Sequence, residues 1–309
     1  MKPYITHLIL SGGGIKGFCY IGIMRYFYME KLMDNLKYIA GTSIGSYFTI
    51  LFALKISIEE IEKIIYDVVM NINQHNFKLS IENIEKSFIN KGIFDINILT
   101  DSLRIILKER CGNENITFLD FIKHCGVNVY IDSLCIDDGK CVIFSAETTP
   151  NIKILDAVSA SMSVSFLFKP VVINNKYHVD NVINDKLSID NIFCDVPSEH
   201  KLFIHITQTD YEKIQIIEPN TRFSFFQFVK RIILIIFKSI VVSKHIYDRQ
   251  DVLDITDIPY KSAFNLIIKN NEIQTILNKD DVENLILKGF LDITYYMNNR
   301  YKNKLEDNY

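Results

Sequence analysis

Two glycine-rich turns, SGGGIKG at Ser11 to Gly17 and GTSIG at Gly41 to Gly45, stand one helix apart, and this pair restricts the possible folds more than any other feature of the chain. The second turn is a G-x-S-x-G pentapeptide that follows a short apolar run, Tyr38 to Ala40, and opens an apolar helix, Tyr47 to Leu54. That is the strand-turn-helix setting of a nucleophile elbow, with Ser43 at its apex. The turn is sharp, so the residues two before and two after the serine must be small, a requirement that Gly41 and Gly45 meet. The hydroxyl is then presented at a helix N-terminus, where backbone N–H groups and the helix dipole favour developing negative charge.

The first turn follows Ile5 to Leu10, a mostly apolar run read as a buried strand, and precedes a helix expected from near Ile15 to about Met33. Gly12, Gly14 and Gly17 also satisfy the G-x-G-x-x-G pattern of dinucleotide-binding folds. Such a fold places an acidic residue at the end of its second strand to hold the ribose, whereas here that strand ends in Ala40 and the serine turn. Both turns fall at the carboxyl ends of adjacent parallel strands, where open α/β sheets place their sites. The N–H groups of Gly13 and Gly14 are thereby expected to point at the carbonyl oxygen of an ester attacked by Ser43. Each donor of such an oxyanion hole contributes about 2.7–4 kcal/mol of transition-state stabilisation.

Composition removes other classes. A hydrophobic content of 48% over 309 residues is that of a core-forming globular chain, and a net charge of -3 carries no basic footprint for nucleic acid. The six cysteines lack C-x-x-C spacing and read as free thiols in a reducing compartment. The N-terminus MKPYITHLIL shows no cleaved signal peptide, so a cytoplasmic location is expected. Histidines and cysteines show no zinc-like clustering, and neither a metal nor a cofactor is expected.

Ser57 and Glu60 form a capping box ahead of a helical run, a second such run follows Ser80, and a third lies between Asp95 and Gly112. Thr117 and Asp120 start a short helix. Strands return at Val127 to Ile136 and Cys141 to Phe144, joined across Asp137 to Lys140. After the small-residue stretch SASMSVSFLFKPV, Ser159 to Val171, Asn174 and Asn175 link Val171 to Ile173 with Lys176 to Val179 as a hairpin. The hairpin ends at Asp180. Two readings of this residue stand side by side: a strand end presents a carboxylate that takes the serine proton, or a turn aspartate caps local backbone. His178 shares a strand face with Asp180 by period two. His205 follows Asp180 in the order of a Ser-Asp-His triad, but a lone histidine within an apolar strand is more often a core residue.

GGGIKGFCYIGIMRYF from Gly12, AGTSIGSYF from Ala40, the small-residue stretch and VDNV from Val179 together resemble the patatin-like phospholipases, intracellular lipid acyl hydrolases with a Ser-Asp dyad. The resemblance covers roughly Ile5 to Asp180, with a weaker echo near Asp281 to Tyr296. It implies a three-layer α/β/α fold with a mainly parallel central sheet and a helical insertion. It also implies Ser43 as nucleophile, Asp180 as general base, and Gly12, Gly13, Gly14, Lys16 and Gly17 as the oxyanion loop, without cofactor. The implied substrate is a phospholipid or other acyl lipid, met at a membrane surface. Departures from the family pattern fall at three places in the sequence. Ser11 stands where aspartate is usual, Ser165 lies near the place of a frequent proline, and Asp180-Asn181-Val182 replaces Asp-Gly-Gly or Asp-Gly-Ala. Asparagine tolerates positive φ better than other non-glycine residues, so the turn is expected to survive. The abundance of Asn, Ile and Lys resembles chains from AT-rich genomes, large DNA viruses among them.

The expected organisation is a catalytic core over 1–207 with a helical insertion at about 57–124. A C-terminal helical part over 208–309, ending in a polar tail at 298–309, packs on the same domain. The alternatives are a catalytically weakened membrane-binding relative, motivated by the altered aspartate turn, and a triacylglycerol lipase or esterase with a Ser-Asp-His triad. Within the C-terminal part, Phe223 to Val242 is apolar but interrupted by Lys230, Arg231 and Lys238, too much so to span a bilayer. As a helix it sets a narrow polar stripe against a wide apolar face, suited either to a lipid interface or to packing on the core. If it serves the interface, changing its apolar residues to polar ones reduces vesicle binding; undiminished binding rejects that role.

Overall fold

The computed structural model describes residues 4–64, 89–181, 188–206, 251–255, 266–269, 272–275 and 279–306. The Phe223 to Val242 segment, Val182 and the helical run expected after Ser80 lie outside them. The chain opens with β1 (His7–Leu10), the 3₁₀ turn Gly14–Phe18 and α1 (Cys19–Met29), then β2 (Tyr38–Gly41) and α2 (Ile44–Ala53). The first helix is thus shorter than its apolar pattern implied, because the glycine turn winds as 3₁₀ before α geometry begins. After β3 (Gly92–Phe94) come α3 (Asn97–Cys111) and α4 (Phe118–Cys125). Gly112 ends α3 in the left-handed region at φ 72°, and the Thr117 hydroxyl caps α4 by accepting from the Asp120 N–H. The insertion expected as helical also carries strand: β3 pairs with β6 (Phe166–Phe168).

The main sheet is built from β1, β2, β4 (Asn128–Cys135), β5 (Lys140–Phe144), β7 (Val171–Ile173), β8 (Lys176–Val179), β9 (Lys201–Ile206) and β10 (Val252–Ile255). The run β10-β9-β1-β2-β4 is parallel throughout, and β5, β7 and β8 add antiparallel pairs at one end. Asn174 and Asn175 turn the β7-β8 hairpin at φ 50° and 61°, the conformation that asparagine tolerates.

Successive crossovers from β1 to β2 to β4 step in one direction, so a right-handed chain places α1 and α2 on one face. That face carries Leu8, Leu10, Ile39, Val129, Ile131, Leu202 and Ile204 in the principal core, together with α5 (Ile154–Met162). The return from β8 to β9 steps the other way and crosses the opposite face. There the 3₁₀ turns Ser188–Phe193 cover Ile9, Ala40, Tyr130 and Phe203. These are the three layers, with the helical one much the thicker among the described residues.

The C-terminal part adds β10 to the sheet edge, a small antiparallel pair β11 (Leu266–Lys269) and β12 (Glu272–Thr275), and α6 (Lys279–Glu306). The polar run at 298–306 continues α6 rather than forming a separate tail. Helices α1 and α6 cross at Gly22 and Gly289: a Cβ at Gly22 would overlap the Ile286 carbonyl, and one at Gly289 the Cys19 carbonyl. Neither obstacle is a flexible side-chain tip, so the helices must part to admit a methyl group. Gly289→Ala is therefore expected to lower the unfolding free energy by about 1–3 kcal/mol in urea titration; an unchanged midpoint would mean that the crossing tolerates a Cβ.

Candidate active site

Ser43 sits between β2 and α2 with φ 54° and ψ −127°, in the left-handed half of φ space that a residue with a Cβ rarely occupies. Such strain persists only where the surroundings enforce it. Below the turn, a Cβ at Gly41 would strike the Gly45 backbone and the Thr49 hydroxyl, and one at Gly45 would lie 2.6 Å from the Ser11 carbonyl oxygen. Within the turn, the Gly45 N–H donates to the Thr42 carbonyl at 2.8 Å, and the Ser46 hydroxyl to the Ser43 carbonyl at 2.6 Å. Above it, the Ser43 N–H donates to Ser161 Oγ at 2.8 Å. Ser161 belongs to α5, inside the small-residue stretch whose helical form the sequence reading did not anticipate.

The first glycine turn lies directly against this serine. A Cβ built at Gly12 would stand 3.2 Å from Ser43 Cβ and 3.9 Å from its hydroxyl oxygen, so glycine lets the loop backbone approach the candidate nucleophile. Gly13 packs on Ile206, Gly14 has φ 54°, and Gly17 lies against Ile44. Ser11 secures the loop from behind. Its hydroxyl accepts from the Ile206 N–H at 2.9 Å and donates to the Gly12 carbonyl at 3.0 Å, a double role closed to an ionised aspartate. Its carbonyl accepts from the Tyr20 hydroxyl at 2.6 Å. Ile44 opens α2, and a first-turn N–H has no intrahelical acceptor. Lys16 is buried in the same turn. Burial, with Asp292 beside it, pushes the neighbouring Cys19 thiol up to about 12, so this cysteine is no competing nucleophile.

The sheet register delivers Asp180. Ile131 of β4 pairs with Gly41 and with Phe144, so β2 and β5 flank β4 on opposite edges. Leu134 pairs with Cys141 of β5 and with Val179, which puts β8 on the same edge as β2. Strands β2 and β8 therefore approach end to end along one edge of β4. Their last paired residues, Gly41 at Ile131 and Val179 at Leu134, are three residues of β4 apart, about 10 Å. Ser43 and Asp180 emerge from these two facing ends. Asp180 is 1% exposed, and its N–H donates to the Ser163 carbonyl at 2.8 Å, so α5 and the residue after it hold backbone groups of both candidates.

Neither histidine weighed in the sequence completes a Ser-Asp-His arrangement through Asp180. His178 is buried on the Asp180 face, where Nδ1 lies 2.9 Å from Ser133 Oγ, and burial lowers its pKa below the usual histidine value. His205 shares its strand face with Phe203, on the other side of the sheet, and its Nδ1 lies 3.1 Å from Asp254 Oδ1 of β10. Among the described residues no group of three or more His, Cys, Asp or Glu is arranged to hold a metal ion, and no helix is long and apolar enough to cross a membrane. Asn181 differs from expectation. It does not take positive φ, and its side chain is what is used, with Nδ2 donating to Asp132 Oδ2 at 2.7 Å.

A fold with an elbow serine, a glycine loop across it and a carboxylate at a facing strand end defines a class of acyl-ester hydrolase scaffolds. The chain belongs to the patatin-like phospholipase family, whose profile matches residues 8–191. It is 28% identical over 180 residues to an uncharacterised protein of Acanthamoeba polyphaga mimivirus, a match covering 58% of each chain. It is 25% identical over 186 residues to a probable lipid hydrolase of Invertebrate iridescent virus 6, covering 58% of this chain and 61% of that one. The match thus spans about three-fifths of either viral relative. Among solved structures, VipD from Legionella pneumophila superposes with a TM-score of 0.56 at 15% identity, over 96% of this chain and 67% of that one. The ExoU-SpcU complex of Pseudomonas aeruginosa gives 0.53 at 15%, over 97% and 52%. These two likenesses establish the fold.

Ser161→Ala removes the acceptor of the Ser43 N–H while adding no bulk. It is expected to lower the rate at which a fluorophosphonate labels Ser43 by about 10-fold or more, with a fall in melting temperature of about a few degrees; unchanged labelling would show that the glycines and the hydrogen bonds within the turn suffice to hold it.

Proposed function

We propose that the chain hydrolyses fatty-acyl esters of phospholipids or related lipids through a Ser43 acyl-enzyme, with Asp180 as general base and the Gly12 to Gly17 loop as oxyanion hole. The observation that carries this reading is the meeting of the β2 and β8 ends on one edge of β4, with Gly12 against the Ser43 side chain. Asp180 takes the hydroxyl proton as Ser43 Oγ attacks the ester carbonyl, and negative charge develops on the carbonyl oxygen. N–H groups of the glycine loop and of Ile44 receive it at the starts of two helical segments, where donors already point outward and need no reorganisation. Collapse expels the lysolipid or alcohol, which takes up the proton held by Asp180. Water activated by the same carboxylate then releases the fatty acid and regenerates Ser43.

The family match and the lipid hydrolase name of one viral relative support an acyl-lipid substrate. The Asp254 partner of His205, on the opposite sheet face, supports a dyad over a triad that includes that histidine. Substrates of this kind reside in bilayers, so the reading includes docking at a lipid surface.

Fatty-acid release from phospholipid vesicles tests the proposal, with vesicle binding recorded in the same samples. Ser43→Ala and Asp180→Asn are each expected to lower release by at least about 10³-fold in folded protein, while His205→Gln keeps most of it. Binding without release in the wild type, unaltered by either substitution, favours the non-catalytic membrane-binding alternative. Near-complete loss in a folded His205→Gln variant overturns the dyad.

A further inference from the structure

Asn181 occupies a place where the family pattern has glycine, yet its backbone lies outside the positive-φ region in which glycine is favoured. The residue has therefore no conformational reason to be glycine, and its side chain is used across the sheet. Continuing the β4-β8 register beyond Leu134 and Val179 sets Asp180 opposite Ser133 and Asn181 opposite Asp132. The hydrogen bond from Asn181 Nδ2 to Asp132 Oδ2, 2.7 Å between two buried side chains, fits that continuation. The same amide lies 3.4 Å from Cys141 Sγ on β5. Alternation along β4 puts Ser133 on the face of Ile131, toward the helices, and Asp132 on the face of Tyr130. Asp180 thus lies on the helix-side face while its neighbour is anchored on the reverse side of the sheet.

We propose that Asn181 and Asp132 form a rear clamp that fixes the direction of the Asp180 carboxylate, making both of them positioning residues for proton transfer from Ser43. The proposal rests on the dyad reading above. Val179 is the last residue of β8 paired with β4, and the Asp180 N–H donates to the Ser163 carbonyl on the helix side. The amide-carboxyl hydrogen bond adds a fixed point one residue on, from the opposite face. Anchors on opposite faces together resist rotation of the strand end about its own axis. A misplacement near 1 Å at a reacting group costs about 100-fold in rate, so the clamp acts on turnover rather than on substrate affinity.

The test compares Asn181→Ala, Asn181→Asp, Asp132→Asn and the double variant Asp132→Asn/Asn181→Asp in the full chain. Circular dichroism checks folding, and kcat and KM are measured on the same vesicles. Asn181→Ala and Asn181→Asp are expected to lower kcat by about 10- to 100-fold with KM within about twofold. Asn181→Asp sets two carboxylates against each other, whereas the double variant restores an amide-carboxylate bond with its polarity reversed and is expected to recover most of kcat. A folded Asn181→Ala variant with wild-type kcat overturns the clamp. Should Asn181→Ala not fold, the near-isosteric singles and their double decide alone: recovery supports the clamp and its absence overturns it. The Asp180→Asn control separates the two levels. If that variant is active the dyad itself fails; if it is inactive while Asn181→Ala is not, the clamp alone fails.

Discussion

Everything at the candidate site depends on two strands sharing one edge of β4. Parallel β2 occupies the first half of that edge and antiparallel β8 the second, so a gap of a few residues separates a serine turn from an aspartate turn. Hydrogen bonding sets this spacing, which makes it a property of backbone rather than of side-chain choice. The consequence is that the turns carrying Ser43 and Asp180, far apart in sequence, leave strand ends that face each other. The glycines then settle what is left. They let α2 approach β1 and the first loop approach Ser43, at positions where a Cβ would strike backbone atoms or the serine itself.

Strain and restraint balance at Ser43. Its positive φ is unfavourable for a residue with a side chain, and the cost, about 1–3 kcal/mol for such a conformation, is borne by hydrogen bonds that converge from three elements. Leu10 of β1 accepts from Thr42, Ser161 of α5 accepts from Ser43, and Ser46 of α2 closes the turn from within. Ser161 fits this task because it is small enough to sit against the turn and polar enough to satisfy a buried backbone N–H.

Much of this was legible in the sequence, because glycine spacing and strand periodicity report directly on local backbone. The two turns, the parallel pair β1-β2, the α3 and α4 caps and the Asn174-Asn175 hairpin all follow from short-range chemistry. What could not be read were pairings between residues close only after folding. The bond from Ser43 to Ser161 joins positions with no local pattern in common, and α5 hides in a run of small residues with weak periodicity. Asn181 illustrates a subtler limit. Its tolerance of positive φ suggested a backbone role, but its partner Asp132 lies on another strand, and only the register reveals that the side chain is the part in use.

The crossing of α1 and α6 at Gly22 and Gly289 bears on how the molecule is made. Helix α1 continues straight from the glycine loop, yet the surface it lies against comes from residues synthesised far later. A nascent chain therefore carries both glycine turns and the elbow serine long before α6 exists to pack behind them. In the finished fold α1 also buries apolar residues on its other sides, Phe27 edge-on against Phe52 of α2. A chain cut short of α6 thus lacks the surface against which α1, and the glycine turn ahead of it, are packed.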